Sequence, residues 1–308
     1  MLLRRLTDFV LQSRLKAMGV AFLFSFIPLI GGSISILIAA LVTLRKGAFE
    51  GTFVLGAAIL PYLFSYAAYG ASEEAELVFI ATSVIVAINV LTWLYALVLR
   101  RYSNWSLVIE GAALSGIMIV AVIYLAYPNI QNWWVAELTH YLNKMVEQAT
   151  VQGDTVVSEG MQAKLAASVQ EFKRYATGIM VVSAVFNAVL QLLLARWWQA
   201  ILFNPGGLRK ELYQIRLSYL SAIIFVGVVG LAYLGQSFSL ELLPIAVTAF
   251  CAAGLSLIHH LLATNKTAWL WLMLVYLGIL FLSYIGVFIV AFVGLLDSLF
   301  DFRERRLI

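Results

Sequence analysis

The sequence predicts an all-α, polytopic membrane protein with about eight or nine transmembrane segments. Of its 308 residues, 63% are hydrophobic and only 12% are charged, against roughly 45–50% and about 25% in a globular domain. The apolar residues form long blocks, and about 20 of them in a helix cross a bilayer core about 30 Å thick. Arginines and lysines cluster in the short connections between blocks, where such charges set the orientation of membrane proteins.

Residues 1–16 predict an amphipathic N-terminal helix that lies on the cytoplasmic face of the membrane. The basic residues Arg4, Arg5, Arg14 and Lys16 are interleaved with leucines, phenylalanine and valine. This pattern is not typical of a cleaved signal peptide.

The N-terminal helix group covers residues 17–127. Its first apolar block is interrupted by Pro28, Gly31 and Gly32, which predicts either two short helices or one broken helix. Further spans are predicted at residues 52–69, 77–99 and 107–127. Two basic pairs mark the cytoplasmic ends of these blocks, Arg45-Lys46 and Arg100-Arg101.

A polar stretch at residues 129–174 divides the membrane part into two groups. Apolar residues recur at spacings of three and four on both sides of Gly153-Asp154, which is typical of a turn between two helices. The stretch therefore predicts an amphipathic helical hairpin whose apolar stripes face each other or the membrane surface. Because basic connections flank it on both sides, we expect this hairpin outside the cytoplasm.

The C-terminal helix group covers residues 175–296, with spans predicted at 175–195, 217–234, 242–262 and 269–296. The last block has 28 residues without a charge, about 42 Å as one helix. One crossing by this block would place the charged tail at residues 297–308 outside, against the distribution expected for Arg303, Arg305 and Arg306. Either the block returns on itself or an earlier crossing is miscounted, and the sequence leaves both open.

Several kinds of chemistry have no motif in this chain. It has no glycine-rich loop followed by Lys-Ser or Lys-Thr, so we expect no ATPase of its own. It has no paired-histidine zinc motif, and Cys251 is the only cysteine, so we expect no metal and no cofactor. We also expect no nucleic-acid partner, because the bases lie in membrane connections. Transport would need an ion gradient or an energising partner subunit.

Ionisable side chains within predicted spans are candidate ligand-binding residues, because burying them in lipid is costly. His259 and His260 are predicted as a protonatable or ligand-binding pair, or as interfacial residues bonded to loop carbonyls. Glu110 is predicted to pair with Arg100 or Arg101 at the cytoplasmic mouth, or to act in transport.

Three amide side chains also lie within predicted spans. Asn187 and Gln191 share one helical face, and Asn89 lies deep in another span. Such residues either hydrogen-bond across helices as structural contacts or form a polar binding pocket.

The connection at 196–216 contains a basic and aromatic patch that suits an anionic cytoplasmic leaflet. A docking site for a partner protein is the alternative. The patch consists of Arg196, Trp197, Trp198, Arg209, Lys210 and Arg216.

Four stretches together resemble one family. They are Gly-Leu-Leu-Asp-Ser-Leu-Phe-Asp-Phe-Arg at 294–303, Phe-Asn-Pro-Gly-Gly-Leu-Arg at 203–209, Ile-Arg-Leu at 215–217 and Gly-Leu-Ser-Leu-Ile-His at 254–259. They resemble the YybS-like family of bacterial membrane proteins (DUF2232). At a distance, Leu-Val-Thr-Leu-Arg-Lys-Gly at 41–47 with Gly51 and Gly56 is similar to substrate-binding subunits of energy-coupling-factor transporters and to MreD-like proteins. The resemblance implies a bacterial cytoplasmic (inner) membrane protein.

Composition and resemblance together lead to two functional hypotheses and a less favoured third. The first is binding or transport of a small or lipid-like ligand, without an ATPase and without enzymatic activity. The alternative is a non-catalytic scaffold for partners in cell-envelope assembly. A membrane enzyme acting on lipid-linked substrates ranks third, because the sequence has no acidic or histidine-rich cytoplasmic cluster.

Overall fold

A computed structural model describes residues 2–27, 30–69, 75–151, 159–263 and 265–303. The prediction of an all-α protein is confirmed, since 88% of the described residues are helical and none of them forms a strand. Five helical segments are long and apolar enough to cross a membrane: Ala48–Ala68, Val78–Tyr102, Trp105–Ala126, Ala176–Phe203 and Ser237–Leu262. A count of eight or nine spans is not confirmed.

Fourteen helices occur in the described part of the chain. The first seven are α1 (Leu2–Gln12), α2 (Arg14–Ser25), α3 (Gly31–Lys46), α4 (Ala48–Tyr69), α5 (Ala75–Tyr102), α6 (Trp105–Ala126) and α7 (Ile130–Val151). The other seven are α8 (Glu159–Phe172), α9 (Ala176–Phe203), α10 (Gly207–Leu212), α11 (Tyr219–Tyr233), α12 (Ser237–Leu262), α13 (Ala268–Leu282) and α14 (Tyr284–Phe300).

The N-terminal residues form helix α1 and the start of α2, and α1 is part of the helical bundle. The first helix ends at Gln12, and the Ser13 side chain caps α2 by accepting a hydrogen bond from the Lys16 amide. Thr7 and Val10 are completely buried, and the Thr7 hydroxyl accepts a 2.8 Å hydrogen bond from the Trp198 indole. Helix α1 is therefore packed against the bundle and held to α9.

The block at 17–44 forms two short helices, the first of the two predicted alternatives. Arg14 at the start of α2 pairs with Glu50 near the start of α4 at 2.7 Å. Because α3 ends immediately before α4, the α2–α3 pair begins and ends at the same end of the bundle. The Ser25 and Ser35 hydroxyls, 2.9 Å apart, join the two helices near their other ends. Pro28 lies outside the described residues.

The last apolar block also returns on itself. Helices α13 and α14 are separated by Ser283, whose φ of 52° is in the left-handed region. Helix α13 follows the end of α12 after a short connection. The end of α14 is held to the connection before α11 by two contacts. Arg303 donates to the Ile215 carbonyl at 2.7 Å, and Arg216 pairs with Asp301. At about 1.5 Å per residue, neither helix reaches the roughly 30 Å of a bilayer core. Arg305 and Arg306 lie outside the described residues.

The basic connections of the described chain meet at one end of the bundle, which we call the basic end. Arg100 donates to the Leu44 carbonyl at 2.8 Å, and the Arg45 guanidinium lies over the Phe203 ring at 4.0 Å. The returns of the α2–α3 and α13–α14 pairs place Arg14 and Arg303 at this same end.

The predicted polar hairpin consists of helices α7 and α8 at the opposite end. Its apolar stripes are only partly covered, because Val169 is buried while Tyr141, Met145, Met161 and Phe172 are exposed. The predicted turn at Gly153-Asp154 lies outside the described residues.

Two hydrophobic cores hold the helices together. The larger includes residues of α5, α6, α9, α11, α12 and α14, and the smaller joins α1 to α4 through residues such as Val10, Leu41 and Val54. Helices α12 and α14 approach closely where a Cβ on Gly254 would lie 2.0 Å from the Val290 carbonyl oxygen. Small residues at such a crossing are typical of helix packing in membranes.

Candidate functional site

A large groove lies near the basic end, between α9, α10 and α12, with α6 and α13 at its margins. Its volume is about 870 Å³, within the roughly 300–1,000 Å³ of ligand-binding pockets. Its walls are mainly apolar, and we call it the apolar groove. Its lining includes Trp105, Ile109, Phe186, Val189, Leu190, Leu193, Trp197, Ile201, Leu208, Arg209, Leu212, Tyr213, Ala252, Leu255, Ser256, His259 and Tyr276.

Helix α9 forms the longest wall because of the spacing of its apolar residues. Five of them recur every three or four residues and so share one face of the helix: Phe186, Leu190, Leu193, Trp197 and Ile201. The opposite face carries Val185, Ala188, Leu192 and Ala195, which are buried in the larger core. Helix α9 is thus apolar on two faces, and only one of them is covered by protein.

The turn between α9 and α10 closes the groove at the basic end. Gly206 has a φ of +82°, a conformation that glycine adopts without steric cost. The chain turns there into α10, and Leu208, Arg209 and Leu212 join the lining.

Four of the polar side chains that line the basic end of the groove lie in contact with one another, and we call them the polar arc: Arg209, Tyr213, His259 and Tyr276. The Arg209 Nε donates to the Tyr213 hydroxyl at 2.7 Å. His259 lies between the two tyrosines, with ring centroids 6.2 Å from Tyr213 and 6.0 Å from Tyr276. Its Nδ1 is 2.8 Å from the Leu255 carbonyl oxygen, so Nδ1 carries the proton. The Tyr276 hydroxyl lies 3.4 Å from Nε2.

The arrangement combines a long apolar wall with one exposed cation. The two terminal nitrogens of Arg209 have no hydrogen-bond partner in the described part of the chain. A guanidinium with free donors binds phosphate or carboxylate in a bidentate manner. Among the described residues there is no group of three or more His, Cys, Asp or Glu side chains that could hold a metal ion.

The structure brings the three predicted amide residues together in a second, smaller cavity of about 360 Å³. Gln191 donates to the Asn187 side-chain oxygen at 2.8 Å and accepts from the Thr92 hydroxyl at 3.2 Å. Asn89 donates to the Ile85 carbonyl at 2.7 Å. Gln191 therefore links α9 to α5 through Thr92, and all three amide side chains line the same cavity.

The other predicted ligand residues lie away from both cavities. The Glu110 carboxylate accepts from the Ser218 amide at 2.5 Å and from the Ser221 hydroxyl at 2.9 Å. It therefore binds the first turn of α11, and no described ion pair joins it to an arginine. His260 is half-buried and does not line the groove.

The predicted basic and aromatic patch divides into anchors and exposed residues. Arg196 pairs with Glu211, Trp198 is buried, and Arg216 pairs with Asp301. Trp197, Arg209 and Lys210 are exposed, and of these only Trp197 and Arg209 line the groove.

Sequence reasoning missed two buried carboxylates. The predicted spans at 217–234 and 242–262 leave Glu241 in the connection between them, and Asp297 falls in the predicted charged tail, yet both are completely buried. Glu241 is flanked by Leu240, Leu242 and Leu243, and this apolar setting is the signal that a helix begins before it.

Comparisons with known proteins found no match. No family model matches the chain, and neither a curated protein nor a solved structure matches it. The groove and the cavity themselves are therefore the basis for assigning a function.

Proposed function

We propose that the protein binds a lipid-like amphiphile, with its hydrocarbon chain in the apolar groove and an anionic head group at Arg209. The observation that carries this proposal is one continuous space of about 870 Å³ with apolar walls and a single cation at one end. Its α9 wall runs from Phe186 to Ile201, about 22 Å at 1.5 Å per residue. One leaflet of a bilayer core is about 15 Å thick, so the groove accommodates a full acyl or isoprenoid chain.

The polar arc suits the head group of such a ligand. Arg209 is held by Tyr213 through Nε, which leaves its terminal donors directed away from that contact. Hydrogen bonds between a charged donor and an anionic acceptor contribute about 1.5–3 kcal/mol. The hydroxyl groups of Tyr213 and Tyr276 and the His259 ring add hydrogen-bonding groups beside it. Trp197, exposed on the same wall, is of the residue type enriched at the membrane interface.

The proposed setting is a bacterial cytoplasmic membrane with the basic end in the cytoplasm. If α2–α3 and α13–α14 both return, six crossings remain, namely the five long helices and the shorter α11. Every basic connection described above then faces the same side, in accord with the usual distribution of positive charge. The α7–α8 hairpin lies on the other side.

Membership of the YybS-like family is part of the proposal. Three of the four stretches that carry the resemblance contact one another, because Arg303 donates to Ile215 and to Ser256. An interlocked set of this kind is expected of residues that specify one fold. The absence of an ATPase and of enzymatic activity stays a prediction.

A scaffold for envelope-assembly partners is the second candidate, and one observation favours it. The α7–α8 hairpin exposes Tyr141, Met145, Met161 and Phe172. Exposed apolar side chains on a protruding element are typical of a protein-interaction surface. The two candidates are separable, because the groove and the hairpin lie at opposite ends of the bundle.

Lipid retention should depend on Arg209, which lines the groove, and not on its neighbour Lys210. The protein is placed in nanodiscs of equal parts dioleoylphosphatidylglycerol and dioleoylphosphatidylcholine, and native mass spectrometry counts the lipids retained after transfer to mild detergent. We expect preferential retention of the anionic lipid. Arg209→Gln should lower it about tenfold, the effect of about 1.4 kcal/mol. Lys210→Gln makes the same charge change outside the groove and should leave retention within about twofold.

A second pair of variants tests the apolar part of the groove. Ala252→Phe places a ring in the groove and should reduce retention of both lipids. Val226→Phe adds the same ring on the exposed face of α11 and should have no effect. Equal losses for Arg209→Gln and Lys210→Gln, together with no effect of Ala252→Phe, would exclude the groove as the lipid site.

A further inference from the structure

The smaller cavity lies between the α2–α3 pair, α5 and α9, and it is lined by Ser33, Tyr62, Asn89, Asn187 and Gln191, among others. Asn89 lies near the middle of the candidate span Val78–Tyr102, and Asn187 near the middle of Ala176–Phe203. The cavity is therefore at mid-membrane depth. We call it the amide cavity.

Its hydrogen bonds leave groups without partners. Asn89 is 5% exposed, its nitrogen donates to the Ile85 carbonyl, and its oxygen Oδ1 is buried without a partner. Gln191 uses both ends of its amide, on Asn187 and Thr92. The Asn187 oxygen is occupied in this way, whereas its nitrogen makes no hydrogen bond to another described residue.

Helix-to-helix linkage explains Gln191 but not Asn89. In lipid, a polar group without a partner costs several kcal/mol. Gln191 has a partner at each end of its amide, so it needs no ligand to be stable. The Asn89 oxygen and the exposed Asn187 nitrogen need something polar in the space between the helices.

We propose that the amide cavity is a binding site for a small, uncharged polar solute. None of its lining side chains carries a charge, and they offer both acceptors and donors, such as the Asn89 oxygen, the Asn187 nitrogen and the Tyr62 hydroxyl. A bare cation needs acceptors only, and an anion needs a positive partner that the lining lacks. Its 360 Å³ holds about 12 molecules at a water-sized share of roughly 30 Å³, enough for a polyol, an amide or a small sugar.

This site is separate from the apolar groove. Asn187 follows Phe186 on α9, and successive residues project about 100° apart. The two sites therefore open on different faces of one helix, and the amide cavity does not depend on the lipid proposal.

Cysteine modification tests this inference with reagents that differ in charge. In a Cys251→Ala background, Ser33→Cys and Asn187→Cys are each reacted in nanodiscs with 2-hydroxyethyl methanethiosulfonate and with the anionic 2-sulfonatoethyl reagent. Rates are divided by those of Gln236→Cys, which is exposed at the opposite end of the bundle. We expect the uncharged reagent to react at least about tenfold faster in the cavity, because a charge at this depth costs several kcal/mol. Adding Asn89→Leu, which removes the free acceptor, should slow the uncharged reagent.

Val226→Cys on the exposed face of α11 is the control for a cysteine in lipid, where a thiol stays protonated and unreactive. Absence of reaction at both cavity positions would overturn the inference, since no solute then enters. Equal relative rates for the two reagents would also overturn it, because the cavity would be open water without preference for uncharged solutes. Gel filtration shows whether each variant is folded. Because two cavity positions are tested, misfolding of one variant does not decide the outcome.

Discussion

Glu241 holds three helices together at the end of the bundle opposite the basic end. Its carboxylate accepts a 2.7 Å hydrogen bond from the Gly178 amide in the first turn of α9 and a 2.9 Å bond from the Tyr124 hydroxyl of α6. Gln131 of α7 donates to the same tyrosine at 3.0 Å. A negative group at a helix N-terminus is favourable because it faces the positive end of the helix dipole. Glu241 is thus a structural anchor that also reaches the polar hairpin.

Replacement of Glu241 should therefore lower the stability of the protein, although the residue lies near the start of a helix. Glu241→Leu leaves the buried Gly178 amide without an acceptor, at about 1–3 kcal/mol, and also removes the acceptor of the half-buried Tyr124 hydroxyl. Glu241→Gln keeps one acceptor oxygen and should lose about half as much. Thermal unfolding in detergent is the measurement, with Glu137→Leu on α7 as the control. An unchanged midpoint for Glu241→Leu would show that the anchor contributes nothing.

Arg303 and Asp297 form the corresponding anchor at the basic end. Arg303 pairs with the completely buried Asp297 at 2.9 Å and donates to the carbonyls of Tyr213 and Ile215. Arg303→Leu leaves Asp297 as a buried charge without its partner, which costs about 3–5 kcal/mol. We expect a large fall in the unfolding midpoint.

The double variant Asp297→Asn with Arg303→Leu should recover part of that loss, because the uncompensated charge is gone. Arg174→Gln breaks the exposed pair with Glu171, and such pairs contribute only about 0–1 kcal/mol. If Arg303→Leu and Arg174→Gln gave equal midpoints, the tail would not be anchored as described.

The two returning helix pairs are the elements that decide the topology. A cysteine at Phe302, in a Cys251→Ala background, should behave like one at Lys210, because α13 and α14 bring the tail back to the basic end. A cysteine at Gln236 should behave oppositely. We expect a membrane-impermeant thiol reagent in whole cells, with any outer membrane permeabilised, to label Gln236→Cys but neither Phe302→Cys nor Lys210→Cys. Labelling of Phe302→Cys together with Gln236→Cys would mean that the last block crosses the membrane once.

The elements were partly predictable from the sequence, and the reasons differ between them. Apolar length predicted each candidate span, and Pro28, Gly31 and Gly32 predicted the break within residues 17–44. The reversal at Ser283 was only one of two alternatives, because apolar residues on a crossing helix and on a returning pair look the same. The contact of Arg216 with Asp301 decides it, and such a contact depends on segments far apart in sequence.

The amide cavity was more predictable from the sequence than the apolar groove. Asn89, Asn187 and Gln191 are conspicuous in apolar spans, so polarity alone identified them, although not that they meet. The groove is built mainly from apolar residues of five helices, which no local pattern distinguishes from core or lipid-facing positions. Arg209 and Lys210 are neighbours of equal charge, and only the fold shows that Arg209 alone lines the groove.

The arrangement gives one bundle two dissimilar sites on adjacent faces of α9. The apolar groove is suited to a hydrocarbon chain and an anion, and the amide cavity to an uncharged polar solute. Buried carboxylates at the two ends, Glu241 and Asp297, hold the helices that form the walls.

An experimental density map of the protein in nanodiscs containing dioleoylphosphatidylglycerol would show whether the groove holds a lipid-like amphiphile. We expect elongated density along α9 from Phe186 to Ile201, ending in a compact feature within hydrogen-bonding distance of Arg209, and its loss in Arg209→Gln combined with Ala252→Phe. A groove closed by its own side chains, or one that stays empty in the anionic lipid while the fold is intact, would show that it is not a lipid site.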